Sequence, residues 1–389
     1  MILFVLYIEP LLCKLNDSIS GVLIYDKFIK TIAYADYINI FIRNDVEFDL
    51  LVQILRSFES FGKIKMNTSK SAYMRINKCV LGPQQIPEVN HLKILGIEFS
   101  SKISLIINSN YDRIIQSVKR MLQVHSVRNL NLWEKSWLIN SFVLSKFWYL
   151  AQVFPPEKKH IAEIKCCVGQ FLWKGFIFKT NREQLYLDYD QGGLRLVDPE
   201  TKTKSLFIKN AIDWENNDTS EEYIIHKLKP QNLPLAVKEL IVEIRKIKDM
   251  PNITTTALIY RHYISQKNIV PAVKIEYPMI RWEIVWRNLN FNFICSDDKA
   301  TCFAFWNNII SNKEKLVAYN IGRIESSACD QCSRSDNNVH RLEQCPPAQI
   351  ISNWTKTTIL KHCEIRLQNL EDILHYEIDN SKKNENAAL

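Results

Sequence analysis

Four residues near the C-terminus constrain this chain more tightly than anything else in it. The segment CDQCSRSDNNVHRLEQC sets Cys329, Cys332, His340 and Cys345 in the spacing Cys-x2-Cys-x7-His-x4-Cys. Two thiolates so close in sequence reach one tetrahedral metal from a single tight turn. A His and a Cys five residues apart can present from the start of a following helix. The Ser-Arg-Ser-Asp-Asn-Asn run between them is turn-forming. Three sulfurs and one nitrogen close a zinc shell and leave no open coordination position. The pattern therefore predicts structural Zn2+. His362 and Cys363 lie beyond a helix-like stretch and read as bystanders.

Composition narrows the setting. The 389 residues are 47% hydrophobic and 24% charged, as in an ordinary globular protein. At ~100–200 residues per domain they make two or three packed units. The net charge of +8 is compatible with phosphate backbones without demanding them. Ten cysteines with no regular spacing outside the cluster argue against a secreted disulfide framework. An intracellular, reducing compartment is expected, nucleus and cytoplasm. Cys13, Cys79, Cys166, Cys167, Cys295 and Cys302 sit in apolar stretches and read as buried small hydrophobes.

The opening MILFVLYIEPLLCKL is apolar, but it lacks a basic start and a small-residue cleavage site, and Glu9-Pro10 interrupts it. It is too short to span a bilayer. It reads as a buried core helix over 3–15, and no membrane partner is expected. Strands follow at 20–26 and 31–44, the second reversing at Ala35-Asp36 as a hairpin. Leu50, Leu51, Ile54, Leu55 and Phe58 recur at helical spacing and predict an amphipathic helix over 48–64. Residues 65–76 read as a turn entering a strand. Residues 91–101 read as one strand, with Gly96 marking a bulge or close approach. From 108 to 175 the chain reads as helical, with Pro155-Pro156 ending one helix. Trp282, Trp286 and Trp306 anchor a second helical region. Most of the nine tryptophans are expected in cores rather than as stacking platforms. The fold class is α+β. The expected divisions are 1–107, 108–214, a polar linker 215–235, a helical 236–325, the zinc knuckle 326–348, and a helix with a disordered tail over 349–389.

Seven segments in order carry a resemblance: LFVLYIEPLL, AYADYINIF, KMNTSKSAYM, LKILGIEF, SFVLSKFWYLAQVFP, FLWKG and GGLRLVDPETK. Together they resemble the C-terminal part of reverse transcriptases from non-LTR (LINE-type) retrotransposons. IRWEIVWRNLNF and the Cys3His cluster resemble the region after the polymerase. The resemblance implies a right-hand polymerase with an antiparallel palm over 1–107 and a helical thumb over 108–214. It implies RNA-directed DNA synthesis primed at nicked target DNA, with an RNA template and target DNA as partners. It places the catalytic turn at Asp36, Lys70 in the next family turn, and Gly96 in the strand that grips the primer.

The catalytic turn departs from the family. Two-metal nucleotidyl transfer needs carboxylates from two strands around ions ~3.5–4 Å apart. The family supplies one Asp from an earlier strand and two from a Tyr-Ala-Asp-Asp turn. Here the turn reads Tyr34-Ala35-Asp36-Tyr37, and a phenol is a poor ligand for Mg2+. Only Asp17 and Asp26 precede it, and neither fits the missing motif. Mg2+ serves the intact family, but this chain is predicted to be inactive, with Asp36 a vestige. Lys63, Lys65, Lys70, Arg75 and Lys78 form one basic group and Lys174, Lys179 and Arg182 another, both candidates for phosphate contact. A different reading is a non-enzymatic, zinc-dependent RNA- or DNA-binding module. A third has the reading frame continuing upstream of Met1 into a fingers region. A palm lacking its neighbours is expected to be less stable than the rest.

Overall fold

In the computed structural model the chain is α+β and folds as two compact units interleaved in sequence. The first holds Met1–Ile114, Leu150–Lys158 and Phe207–Ile253; the second holds Ile115–Tyr149, Lys159–Leu206 and Thr254–Leu389. The structure describes residues 2–24, 27–35, 37–62, 65–76, 86–174, 180–217, 235–250, 252–322, 324–363 and 366. Most of the expected linker and the C-terminal tail lie outside them.

The first unit is built on two helices, α1 (Ile2–Ser18) and α2 (Asp45–Gly62). Ile8, Leu11, Leu15 and Ile19 of α1 and its exit pack on Leu51 and Ile54 of α2. Burying each aliphatic side chain contributes on the order of 2 kcal/mol. Asn44 accepts from the Glu47 amide at 3.0 Å and so caps α2. The Glu47 carboxylate takes the amides of Ser20 and Arg43 at 3.1 and 2.9 Å. Burial alone would raise the Glu47 pKa; those backbone bonds outweigh it and hold it below the ordinary range. The apolar composition of α1 suggested burial all round, and that is corrected here. Leu3 and Leu6 are 82% and 65% exposed, because among the described helices α2 covers a single face.

Among the described residues six short strands pair as three antiparallel hairpins: β1 (Val22–Ile24) with β2 (Lys27–Ile29), β3 (Thr31–Tyr34) with β4 (Tyr37–Ile40), and β5 (His91–Ile94) with β6 (Ile97–Ser100). Among the described residues no ladder joins one hairpin to another. The single strand expected over 91–101 is thus two strands. Leu95 and Gly96 have φ of +48° and +88°, the left-handed pair that a tight hairpin turn demands. Open space surrounds Gly96, so turn geometry rather than close approach explains the glycine. Asn110 of α3 (Ile103–Ser126) clasps β6: its side chain accepts from the Glu98 amide at 2.9 Å and donates to the Glu98 carbonyl at 2.7 Å. Residues 65–76 form no strand. They make a single 3-10 turn (Thr68–Lys70), capped by Asn67, and one parallel bridge from Tyr73 to Glu88.

The second unit is helical. Asn131 and Glu134 cap α4 (Leu132–Leu138) reciprocally. A π-helical turn, Ile139–Val143, then leads into α5 (Ser145–Ala151). The ammonium of Lys135 is buried against the carbonyl of Leu172, at the C-terminal end of α6 (Lys158–Trp173), where the helix dipole favours a cation. Beyond α8 (Leu235–Lys248), which lies in the first unit, come α9 (Thr256–Ser265), α10 (Ala272–Glu276), α11 (Trp282–Leu289) and α12 (Ser296–Trp306). Trp282, Trp286, Trp306, Val273 and Val285 form one core, with Trp282 edge-on to Trp306 at 5.8 Å. Gly192 adopts a φ of +81°, and a Cβ there would run into the Trp286 ring. The three tryptophans are anchors as the sequence implies. Trp137 stands exposed, however, and so does Trp354.

A carboxylate with no exposure ties four elements of this unit. Asp198 precedes α7 (Pro199–Asn217) and accepts from the Thr201 hydroxyl at 2.6 Å. Lys165 of α6 and Lys267 beyond α9 reach it at 3.2 and 3.0 Å. Lys267 also holds Glu183 at 2.7 Å, and the Tyr260 hydroxyl accepts the Asp198 amide at 3.0 Å. Burial alone would raise the Asp198 pKa; Lys165, Thr201 and Lys267 outweigh it and hold it low. A depressed carboxylate contributes its stability above its unfolded value of about 3.9 and loses it as pH falls through the folded value. Asp198→Asn removes the carboxylate that Lys165 and Lys267 share and leaves them to Glu200 and Glu183, each at 2.7 Å, at a cost of about 1–3 kcal/mol. Denaturant midpoints measured from pH 7 to pH 3 test this. Wild type is expected to lose stability below about pH 4 and the variant to start lower and lose less. A variant as stable as wild type at pH 7 contradicts the account.

Candidate metal centre

The segment after α13 (Lys313–Ala318) is folded by its own backbone bonds. Ala328 and Ser335 form an antiparallel bridge. The Cys329 amide donates to the Arg334 carbonyl at 2.7 Å, and the Ser333 amide returns to the Cys329 carbonyl at 2.9 Å. Ser333 takes a φ of +59°, which closes the turn and places Cys329 and Cys332 on one side. The Gln331 amide points at the Cys329 sulfur at 3.5 Å. Asn337 then accepts the His340 amide at 2.8 Å and starts a π-helical turn, His340–Gln344. The Cys345 amide bonds the His340 carbonyl at 2.8 Å as that turn ends, and α14 (Pro346–Cys363) begins.

This scaffold brings the four predicted ligands together. One donor atom from each lies within 4.8 Å of the others. The sulfurs of Cys329 and Cys345 are 3.8 Å apart, and Cys332 Sγ is 3.4 Å from His340 Nε2. A tetrahedral shell with Zn–S of about 2.3 Å and Zn–N of about 2.0–2.1 Å spaces its donors by roughly 3.5–3.8 Å. The donor set thus fits zinc in kind and in spacing. His340 and Cys345 are buried and the other two half-buried. His340 Nδ1 is buried without an acceptor among the described residues, whereas a metal-bound His ordinarily donates that proton to a neighbour.

A buried carboxylate ties the module to the residues before it. Asp336 forms a bidentate pair with Arg341 at 2.6 Å and accepts the Lys313 amide at 2.9 Å. The Arg341 guanidinium also donates to the Ser311 carbonyl at 2.7 Å. Both are consequences of sequence neighbours folding back, and neither side chain was singled out by spacing alone.

The two sulfurs differ. The Gln331 amide and His340 hold the Cys329 thiol down to about 6, while burial and the adjacent Cys329 push Cys345 up to about 11. One thiolate is therefore ready at neutral pH, and the metal must displace a proton from the other.

The other predicted positions are scattered. Asp36 lies outside the described residues. Tyr34 and Tyr37, which flank it, are paired across β3 and β4 and exposed. Lys65 and Lys70 are exposed; Arg75 is half-buried and pairs with Glu88 at 2.9 Å. Lys174 is exposed just past α6 with a φ of +51°, and Arg182 is exposed. Lys63, Lys78 and Lys179 lie outside the described residues. Of the remaining cysteines Cys167 is buried as expected, but Cys13, Cys166 and Cys295 are exposed. They sit on helix faces or caps that no core element covers.

Over 183 residues the chain is 22% identical to the Transposon TX1 uncharacterized 149 kDa protein of Xenopus laevis. The match covers 44% of this chain and spans 14% of that protein's length. It points to an origin in a transposon. No protein-family model matches the sequence. No helix among the described residues is long and apolar enough to cross a membrane.

The geometry predicts one zinc per chain when the protein is purified without chelator. Native mass spectrometry checks this, and Cys332→Ser is expected to abolish retention. Zinc affinity should fall as pH drops from 8, because the metal displaces the Cys345 proton throughout, and more steeply below about 6, where Cys329 also takes up its proton. Competition with a chelating dye from pH 8 to pH 5 reads that slope. Retention independent of pH over this range would contradict the thiolate assignment.

Proposed function

We propose that this chain is a polymerase-family relic of a non-LTR retrotransposon. In this reading it retains the frame of a reverse transcriptase and does not synthesise DNA. The observation that carries it is the hairpin turn between β3 and β4. A single carboxylate position is bracketed there by Tyr34 and Tyr37. Ala35 holds a φ of +50°, which an alanine adopts only at a cost. Backbone strain of this sort clusters at functional turns and supports a catalytic ancestry for this one. The transposon likeness supports the same origin. With Tyr37 where the family turn carries its second Asp, this turn offers one carboxylate where two would hold the Mg2+ ions, which supports the proposed silence.

A second reading is favoured by the Cys3His geometry: the chain binds RNA or DNA through a zinc-ordered module and needs no catalysis. The two are compatible, since a silent polymerase can keep its nucleic-acid surfaces. Exposed Lys65, Lys70 and Lys174 would contribute phosphate contacts, and such binding weakens steeply with salt.

Primer extension on an RNA template tests the first reading. Wild type, Asp36→Ala and Tyr37→Asp are expected to give equal background with Mg2+. Incorporation by wild type above the Asp36→Ala control would overturn the proposed silence. For the second, oligonucleotide affinity of the full chain should fall at least tenfold in Cys332→Ser, because loss of the metal unfolds the module.

A further inference from the structure

We propose that residues 367–378 fold back as a helix against α14 and cover its outward face, so that the chain closes its own exposed apolar surface. This inference stands apart from the polymerase and nucleic-acid readings.

The helix α14 has two unlike faces. Ser352 is buried, Lys356 is mostly covered and pairs with Glu343 at 3.6 Å, and Ile359 is half-buried. These mark the inward side. At 3.6 residues per turn, Ile350, Trp354 and Lys361 lie within about 40° of one another on the opposite side, and Ile351 and Leu360 flank them, one on each edge. Ile350, Ile351, Trp354 and Leu360 are all exposed, Trp354 by 68%. Four large apolar side chains gathered on one helix face mark a surface built to be covered.

The chain itself supplies a fitting occupant. Residues 367–389 lie outside the described residues, and the sequence over 367–378 reads LQNLEDILHYEI. Leu367, Leu370, Leu374 and Ile378 recur at i, i+3, i+7 and i+11, the period of an amphipathic helix with one apolar stripe. The helix α14 ends at Cys363, and Arg366 is not helical. The connection from Glu364 to Arg366 has the length that joins two antiparallel helices in an αα-hairpin. A helix over 367–378 runs about 18 Å, and Ile350 to Lys361 spans about 17 Å. The returning stripe thus matches the exposed face in length.

Charge selects this occupant over others. α14 includes no Asp or Glu and carries Lys356, Lys361 and His362. Residues 367–380 carry Glu371, Asp372, Glu377 and Asp379 and no Lys or Arg. A second copy of α14 lacks that match. Packed antiparallel, it would set the cationic end of each helix on the apolar end of the other; packed parallel, it would bring the cations together. The short connection also holds the segment beside this face at an effective concentration on the order of millimolar.

Hydrogen exchange read by mass spectrometry on the full, zinc-loaded chain tests the proposal. The amides of 370–378 are expected to exchange at least about tenfold more slowly than those of an unfolded chain. Trp354→Ser removes the largest contact on α14, and the double variant Leu370→Asp, Leu374→Asp breaks the stripe. Each should return 370–378 to the unfolded rate. The emission of Trp354, isolated by difference against Trp354→Phe, should shift to the red in the double variant. Zinc content and the exchange of α3 should match wild type in both variants, which excludes general unfolding as the cause.

Exchange of 370–378 at the unfolded rate in wild type overturns the inference. So does protection that survives both variants, which places the segment elsewhere. Protection that fades on dilution also overturns it, since the contact is then one between copies.

Discussion

Three sulfurs and one imidazole nitrogen hold a stretch of chain that has little core of its own. Between Cys329 and Cys345 the buried apolar surface is slight, and the backbone bonds are short-range turns. Conformational entropy opposes ordering such a segment by roughly 1–2 kcal/mol per residue. Local hydrogen bonds, each contributing about 1 kcal/mol net, do not offset that alone. A tetrahedral metal on these four donors would, because its binding energy becomes folding energy. The orientation of α14, and with it the exposed Trp354, follows from the same constraint.

Elsewhere in the second unit the organising interactions are different in kind. Asp198 draws Lys165, Lys267, Thr201 and Tyr260 onto one buried point, and the Trp282–Trp286–Trp306 core leans on Gly192. Both meet in the GGLRLVDPETK segment, which supplies the glycine for one and the carboxylate for the other. In the first unit one cluster is a face of α1 against α2, and Leu3, Leu6, Leu23 and Phe28 stand exposed.

Some of this was legible in the sequence, for physical reasons. The Cys/His spacing could be read because metal geometry fixes which separations along the chain can share a shell. The α2 helix was visible through its period, and the β3–β4 hairpin through its alternation across Ala35-Asp36. The turn at Leu95-Gly96 was missed because leucine carries no signature of positive φ, so two strands looked like one. The exposure of α1 was missed because an all-apolar helix gives no hint of which neighbours exist to cover it. The Asp198 cluster joins residues from Lys165 to Lys267, and no local pattern announces such a contact. Cys13, Cys166 and Cys295 followed the apolar character of their neighbours in sequence, while exposure is decided by the side of the helix. Most of the tryptophans were expected in cores, and α14 turns Trp354 outward.

The zinc shell is the claim on which the module, the helix after it and the nucleic-acid reading all lean. X-ray absorption at the zinc edge of the full-length protein tests it most directly. The account predicts one first shell of three sulfurs near 2.3 Å and one nitrogen near 2.0–2.1 Å, with no oxygen. A shell rich in nitrogen and oxygen, or a folded segment with no zinc bound, would contradict it.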